Sequence, residues 1–173
     1  MSNEGNLYLI DANIIIHAHS FYYPLKRVPE FWSWILFHAQ NNSIKLPAEI
    51  LDEVQGGDKD EHAKWVHDKT NKNILELKEN VNIPLLNKVV KEGYAPDLTD
   101  VELDKIGKDP FLISYALAQP ENRIVVTNEQ PSPKKQRHNR KIPDVCKHFG
   151  LRCCNVFTMI KELDFYTDWK SRI

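Results

Sequence analysis

A chain of 173 residues, 42% hydrophobic and 27% charged, suits one globular domain with room for a real core. Its formal net charge of −1 excludes a global field that draws nucleic acid, so any such binding needs a local patch. The cysteines, Cys146, Cys153 and Cys154, are odd in number and two are adjacent, which excludes a secreted disulfide framework and a zinc motif and fits a reducing cytosol.

The first element is the run Leu7-Tyr8-Leu9-Ile10, which reads as a strand buried on both faces. It stops at Asp11, too short for a signal peptide or a membrane span, and no basic region precedes it. Ala12 to His17 is a short helix candidate. Two prolines mark the aromatic stretch SFYYPLKRVPEF as a turn region. Pro29 fits the first turn of a helix running to about Gln40, with Trp32, Ile35 and Leu36 on one face against the sheet. Ser43 to Leu46 is a brief strand, and Pro47 starts the helix AEILDEVQ, which stops at Gly56-Gly57.

A charged helix is predicted over Lys59 to Thr70, with Trp65 and Val66 packing inward. Ile74 to Leu77 is a strand or an extended link. Val81 to Glu92 reads as a helix ended by Gly93, and Tyr94 to Gly107 as a polar loop with a short helix. Asp109 caps a helix that starts at Pro110 and ends near Pro120. Arg123 to Thr127 is a second buried strand. Glu129 to Lys141 is a loop rich in Pro, Lys and Arg, followed by a helix over Ile142 to Phe149, a strand over Leu151 to Asn155 and a helix over Phe157 to Leu163. Alternating strands and helices argue for a three-layer α/β/α domain on a parallel sheet of four or five strands. The single domain spans residues 1–173, with its core at about 7–163. The tail over 164–173 carries Phe165, Tyr166 and Trp169 for docking on the body or on a partner.

In open parallel sheets, ligands sit beyond the carboxyl ends of the strands, which is where Asp11 stands. On the helix after Pro47, Ile50, Leu51 and Val54 share one face, Glu49 and Asp52 point away, and Glu53 lies on the flank nearest the sheet. Asp109 opens a helix apolar enough to lie on the sheet, and the positive end of that helix favours a carboxylate. The strand ending VVT runs into Asn128 and Glu129, and Asp144 follows Pro143. Each acid taken singly is equally a helix cap or a solvated side chain. Gathered in one cleft, they would repel one another and call for a hard divalent ion, Mg2+ or Mn2+, in a site suited to phosphodiester hydrolysis.

The ordered set LYLIDANIII, LPAEILDEVQGG, GKDPFLISYALA and IVVTNE resembles the PIN domain, a metal-dependent ribonuclease fold, over Leu7 to about Leu163. The FYYP and KIPDVC stretches look like a longer bacterial and archaeal branch of that family, similar to VapC-type toxins of toxin–antitoxin pairs. The resemblance implies an endoribonuclease with Asp11, Glu53 and Asp109 as the core metal-binding acids. Glu129 is the nearest match to the fourth acid, usually an Asp, with Asp144 as an alternative or an addition. Asn13, Thr127 and Asn128 would support the site. The basic loop supplies Lys134, Lys135, Arg137, Arg140 and Lys141 as RNA phosphate contacts, against its plainer reading as a solvated surface. Implied partners are RNA, an antitoxin that blocks the acid cleft, and a second copy meeting the aromatic segment near residues 21–37, all in the cytoplasm with no membrane. Two rivals stand beside this reading. One is an inactive PIN-like module that binds RNA or protein. The other is a haloacid-dehalogenase-type phosphatase, which would need a second Asp where this chain has Asn13.

Overall fold

The computed structural model describes residues 5–55 and 60–173. Among these, four parallel strands form one sheet: β1 (Leu7–Ile10), β2 (Ile44–Lys45), β3 (Arg123–Val126) and β4 (Arg152–Cys154), in the spatial order β2-β1-β3-β4. The two apolar runs of the sequence are the two central strands. Tyr8 lies opposite Ile124 and Ile10 opposite Val126. Leu9, Ile10, Val125 and Val126 are fully buried, as helices on both faces of a parallel sheet require. The fold is α/β with three layers, and its sheet has the lower of the expected strand numbers.

Between β1 and β2 run α1 (Ala12–His17), which widens into a π-helical turn over Ala18–Tyr22, and α2 (Pro29–Gln40). The long excursion from β2 to β3 carries α3 (Ala48–Glu53), α4 (Glu61–His67), α5 (Lys69–Leu75), α6 (Ile83–Lys88) with a second π-helical turn over Val89–Tyr94, α7 (Asp100–Ile106) and α8 (Asp109–Ala118). α9 (Ile142–His148) joins β3 to β4, and α10 (Val156–Glu162) follows. From β1 the chain crosses to β2 on one side, and from β3 it crosses to β4 on the other. Right-handed crossovers then place these helices on opposite faces and open a crevice between the carboxyl ends of β1 and β3.

α2 follows its sequence signals closely. Pro29 sits in the first turn, where its missing N–H is no loss. Phe31, Trp32, Trp34 and Ile35 are buried while Leu36 is half-buried, and the Asn41 side chain caps the end by donating to the Phe37 carbonyl at 2.8 Å. The C-terminal tail docks on this same helix. Phe165 lies 5.1 Å from the Trp34 ring, Trp169 lies 5.0 Å from the Phe37 ring, and the Trp169 indole donates to the Glu30 carbonyl at 3.1 Å. Much of the aromatic face offered by the sequence for a second copy is therefore covered by the chain itself, although Phe21 stays 74% exposed.

Three local expectations are corrected. The charged helix is two helices, because Asp68 turns out of helical geometry and caps the second, accepting from the Thr70 and Asn71 amides at 3.0 and 3.1 Å. The link after it is helical through Leu75, and only Glu76 bridges to Leu46 in extended form. Gly93 lies inside the second π-helical turn instead of ending a helix, because that turn packs too closely for a side chain: a Cβ there would come within 2.7 Å of Val145 Cγ1 and 2.9 Å of Phe149 Cε2. Gly56-Gly57 and Lys59, expected at a helix stop and a helix start, lie outside the described residues.

Candidate functional site

Asp11 leaves β1 at the crevice and is 5% exposed. Its Oδ2 accepts from the Thr127 hydroxyl at 2.9 Å, so the residue that follows β1 is tied to the residue that follows β3. Asn13 braces the pair. Its Nδ2 donates to Thr127 Oγ1 at 3.2 Å and its Oδ1 accepts the Asn128 amide at 3.2 Å. The Glu129 amide also donates to Thr127 Oγ1, at 3.2 Å. The Asn128 side chain extends this network outward, donating to the Tyr22 hydroxyl at 3.1 Å and accepting from the Val156 amide at 3.4 Å. Asn13, Thr127 and Asn128 thus form a connected polar network around Asp11.

Two further acids arrive from the long excursion between β2 and β3. Glu53, half-buried at the end of α3, accepts the Lys108 amide at 3.1 Å, while its neighbour Asp52 is exposed. Gly107 stands beside it with φ +53, a left-handed turn that glycine enters without strain. That turn delivers Asp109, which is the first residue of α8; Lys108 occupies the cap position expected of Asp109. Asp109 lines the cleft described below.

Four acids act on one another here. Burial pushes Asp109 up to about 8, and the charges of Asp11, Glu129 and Glu53 push the same way against the pull of Lys141. Burial also raises Asp11, to about 6; the Thr127 hydrogen bond opposes that and the charges of Glu53 and Glu129 reinforce it. Glu53 is raised by burial as well, with the Lys108 amide and ammonium opposing. Glu129 is held from two sides: Lys141 Nζ lies 3.0 Å from its Oε1, and the Ile142 amide donates to its Oε2 at 2.8 Å. Asp144 is turned elsewhere. Although nearly buried, it accepts the Ser132 amide at 2.7 Å and so fixes the start of the basic loop.

Asp109 and Glu129 open into a cleft of about 330 Å³ lined also by Lys105, Lys135, His138, Asn139, Arg140 and Lys141. The basic loop divides by role. Arg137 is spent on the fold, with its guanidinium on Asp97 at 2.7 Å and on Glu102 at 2.7 and 2.8 Å. Those two carboxylates hold Arg137 above its ordinary range, and Arg137 in turn pulls Glu102 well below its own. Arg140 donates to the Gly93 carbonyl and, at 3.2 Å, to the Asp144 carbonyl. Lys134 and Lys135 are exposed and have no ion-pair partner among the described residues. The arginines therefore staple the loop in place, Lys141 is paired with Glu129, and Lys134 and Lys135 provide the available charge.

Sequence reasoning missed Lys105 and His138 in this lining, and it missed the burial of Tyr94. Lys105 is the basic residue in the last turn of α7, a short helix that the sequence shows only as part of a polar stretch. Tyr94 follows a glycine that reads as a helix stop. It is 6% exposed, and Asp109 and Glu129 are the charges acting most on its hydroxyl.

The donor set is all carboxylate oxygen, the kind that hard divalent cations take. Burial first, and the neighbouring acids second, raise Asp11 and Asp109, and a bound cation would favour their ionised forms. Among the described residues no three His, Cys, Asp or Glu side chains already stand at ligand spacing. The fit is one of chemistry and shared location, with Asp11, Glu53 and Asp109 as the groups that would hold the ion.

A doubly wound parallel sheet with acids gathered at its switch point defines an α/β protein whose site lies where that class binds ligands. The chain belongs to the domain of unknown function family DUF4411, whose model matches residues 8–167. No curated protein and no solved structure matches it.

Proposed function

We propose that this DUF4411 protein is a Mg2+- or Mn2+-dependent endoribonuclease that hydrolyses RNA phosphodiester bonds. The observation that carries the reading is that the Asp11 carboxylate and the Glu129 amide share the Thr127 hydroxyl while Asp109 and Glu129 line one cleft with Lys105, Lys135 and Lys141. The PIN-like order of the sequence motifs supports it. A bound divalent ion supplies an activated water and a counter-charge for the phosphate. Asp11, Glu53 and Asp109 hold that ion, while Thr127 and Asn13 fix the direction of the Asp11 carboxylate. Lys135 and Lys141 attract the phosphate backbone, and Lys141 also tethers Glu129 at the edge of the site.

In the toxin reading, the partner is an antitoxin protein that fills the cleft, and the place of action is the cytoplasm. No helix among the described residues is long and apolar enough to cross a membrane. A homodimer would use surface that the tail leaves open. The inactive-module alternative draws on the Lys141–Glu129 ion pair, which already neutralises the fourth acid. The phosphatase alternative is weakened because the Asn13 amide is tied into the Thr127–Asn128 network.

The test is cleavage of total cellular RNA by the purified protein, with Mn2+, with Mg2+ and with chelator, beside Asp11→Asn and Asp109→Asn. Discrete fragments that require metal and both acids are expected, with each variant losing about 100-fold or more in rate. Neither cleavage nor metal binding by the folded wild type would favour the binding module. Cleavage that survives Asp11→Asn would remove Asp11 from the site.

A further inference from the structure

The cleft that holds Asp109 and Glu129 also holds an imidazole, that of His138. The side chain is 19% exposed, and its Nδ1 lies 3.0 Å from Glu102 Oε1. Glu102 is itself fixed: it takes Arg137 on both oxygens, at 2.7 and 2.8 Å, and the Thr99 amide at 3.0 Å. Arg137 reaches it from a left-handed backbone, φ +54, a conformation that residues other than glycine hold only where the surroundings impose it. The turn Arg137–Asn139 thus sends one side chain back onto Glu102 and lays the next against the same carboxylate, at the wall of the cleft.

That anchor decides the roles of the two ring nitrogens. An ionised carboxylate can only accept, and Arg137 keeps Glu102 ionised, so Nδ1 carries the ring proton. In the neutral imidazole Nε2 then presents a lone pair. Among the described residues Nε2 has no hydrogen-bond partner, and it is not sealed from solvent, so it is open to what enters the cleft. Asp109 and Glu129 give this lining its anions, and Lys105, Lys135 and Lys141 its ammonium groups. His138 adds an uncharged acceptor held in one direction. A sugar–phosphate backbone offers such an acceptor a single kind of donor. Its phosphate oxygens only accept, deoxyribose has no hydroxyl within the chain, and the ribose 2′-hydroxyl donates.

We propose that His138 Nε2 accepts a hydrogen bond from the 2′-hydroxyl of an RNA ribose in this cleft and so sets a preference for RNA over DNA. The assignment rests on the cleft being the nucleic-acid site proposed above. Glu102 and Arg137 are positioning residues, which hold the tautomer and the direction of the ring.

The experiment uses single-stranded oligonucleotides of one sequence with ribose, 2′-deoxyribose or 2′-fluoro sugars, the last two lacking the donor. Binding is read under mildly alkaline conditions with Ca2+, and cleavage separately with Mg2+. Wild type should bind the ribose form about tenfold more tightly than either of the others, the effect of one hydrogen bond. His138→Asn keeps an amide to face Glu102 and removes the distal acceptor; it should melt near wild type and bind the three forms alike, by weakening on ribose alone. In wild type, nitrogen NMR of the ring should show Nε2 unprotonated and shifted by the ribose form but not by the 2′-fluoro form. An Nε2 signal that does not move would overturn the proposal whatever the fold of the variant. Equal binding of the ribose and 2′-fluoro forms by wild type, or binding of neither, would overturn it too. So would a His138→Asn protein that keeps the wild-type ratio, or one that binds Mn2+ more weakly, which would make the ring a metal ligand. If the preference is present and His138→Asn loses it while no RNA is cut, the ribose contact stands and the ribonuclease reading falls. If RNA is cut and His138→Asn keeps the ratio, the ribonuclease reading stands and the ribose contact falls.

Discussion

At pH 8 a carboxyl held as Asp109 is held is half ionised in the folded chain and fully ionised in the unfolded one. The folded chain binds the extra proton from about pH 4 to about pH 8, so metal-free stability falls as pH rises through that window and levels off above it. Asp109→Asn removes the penalty. The variant should exceed wild type by about 2–5 kcal/mol in chelator at pH 8 and match it near pH 4, measured by urea unfolding at both pH values. Mn2+ should raise the melting temperature of wild type and leave that of Asp109→Asn nearly unchanged. Equal pH profiles for the two proteins would show that Asp109 is not in the repelling cluster. Thr127→Val makes the opposite change: it leaves Asp11 buried without its hydroxyl donor, and stability at pH 8 should fall by about 1–3 kcal/mol. At this scale the sequence was informative wherever a residue stood at the end of an element. Asp11, Asp109 and Glu129 each follow or open an apolar run, so their placement could be argued from pattern alone. The burial of Tyr94 could not be found that way, because it depends on packing between α6, α8 and α9, which no local pattern encodes.

Among the elements, the second π-helical turn depends on its glycine. Gly93→Ala would force its Cβ against Val145 and Phe149, and the clash involves a helix packed on both sides. Overpacking of this kind costs about 1–3 kcal/mol, which a shift of the urea midpoint would reveal. An unchanged midpoint would mean the turn relaxes freely and fixes nothing. The elements that were legible carried two agreeing signals, as α2 does with Pro29 at its start and Asn41 at its end. The charged stretch was misread as one helix because Asp68 looks like one more solvated acid until its oxygen is seen to cap the next segment. Of the basic loop, the sequence revealed the charge but not its division: Arg137 finds Glu102 and Asp97 from residues more than thirty positions away.

For the whole molecule, the sheet class was readable because central parallel strands must be apolar on both faces, and two such runs stand out. Strand order was not, since nothing within Leu7–Ile10 says that it pairs with Arg123–Val126 before any other strand. The docking of the tail was also open. It is now a stability element: Trp169→Ala should cost about 2–4 kcal/mol, near the lower end of values for a buried aromatic because a tail end can resettle. Differential calorimetry would read this, and a variant that melts with wild type would show the tail to be loosely held.

The bond between Asp11 and Thr127 spans 116 positions of chain. Synthesis proceeds from the amino end, so Asp11 emerges well before Thr127 and must wait for the intervening chain before it acquires that partner. Glu53 and Asp109 appear in the interval, yet the strand that gathers them comes later still. A growing chain on the ribosome therefore carries the acids without the crevice. If the finished protein cuts RNA, the message that encodes it is spared while it is being read, and the delay is imposed by the order of the strands alone.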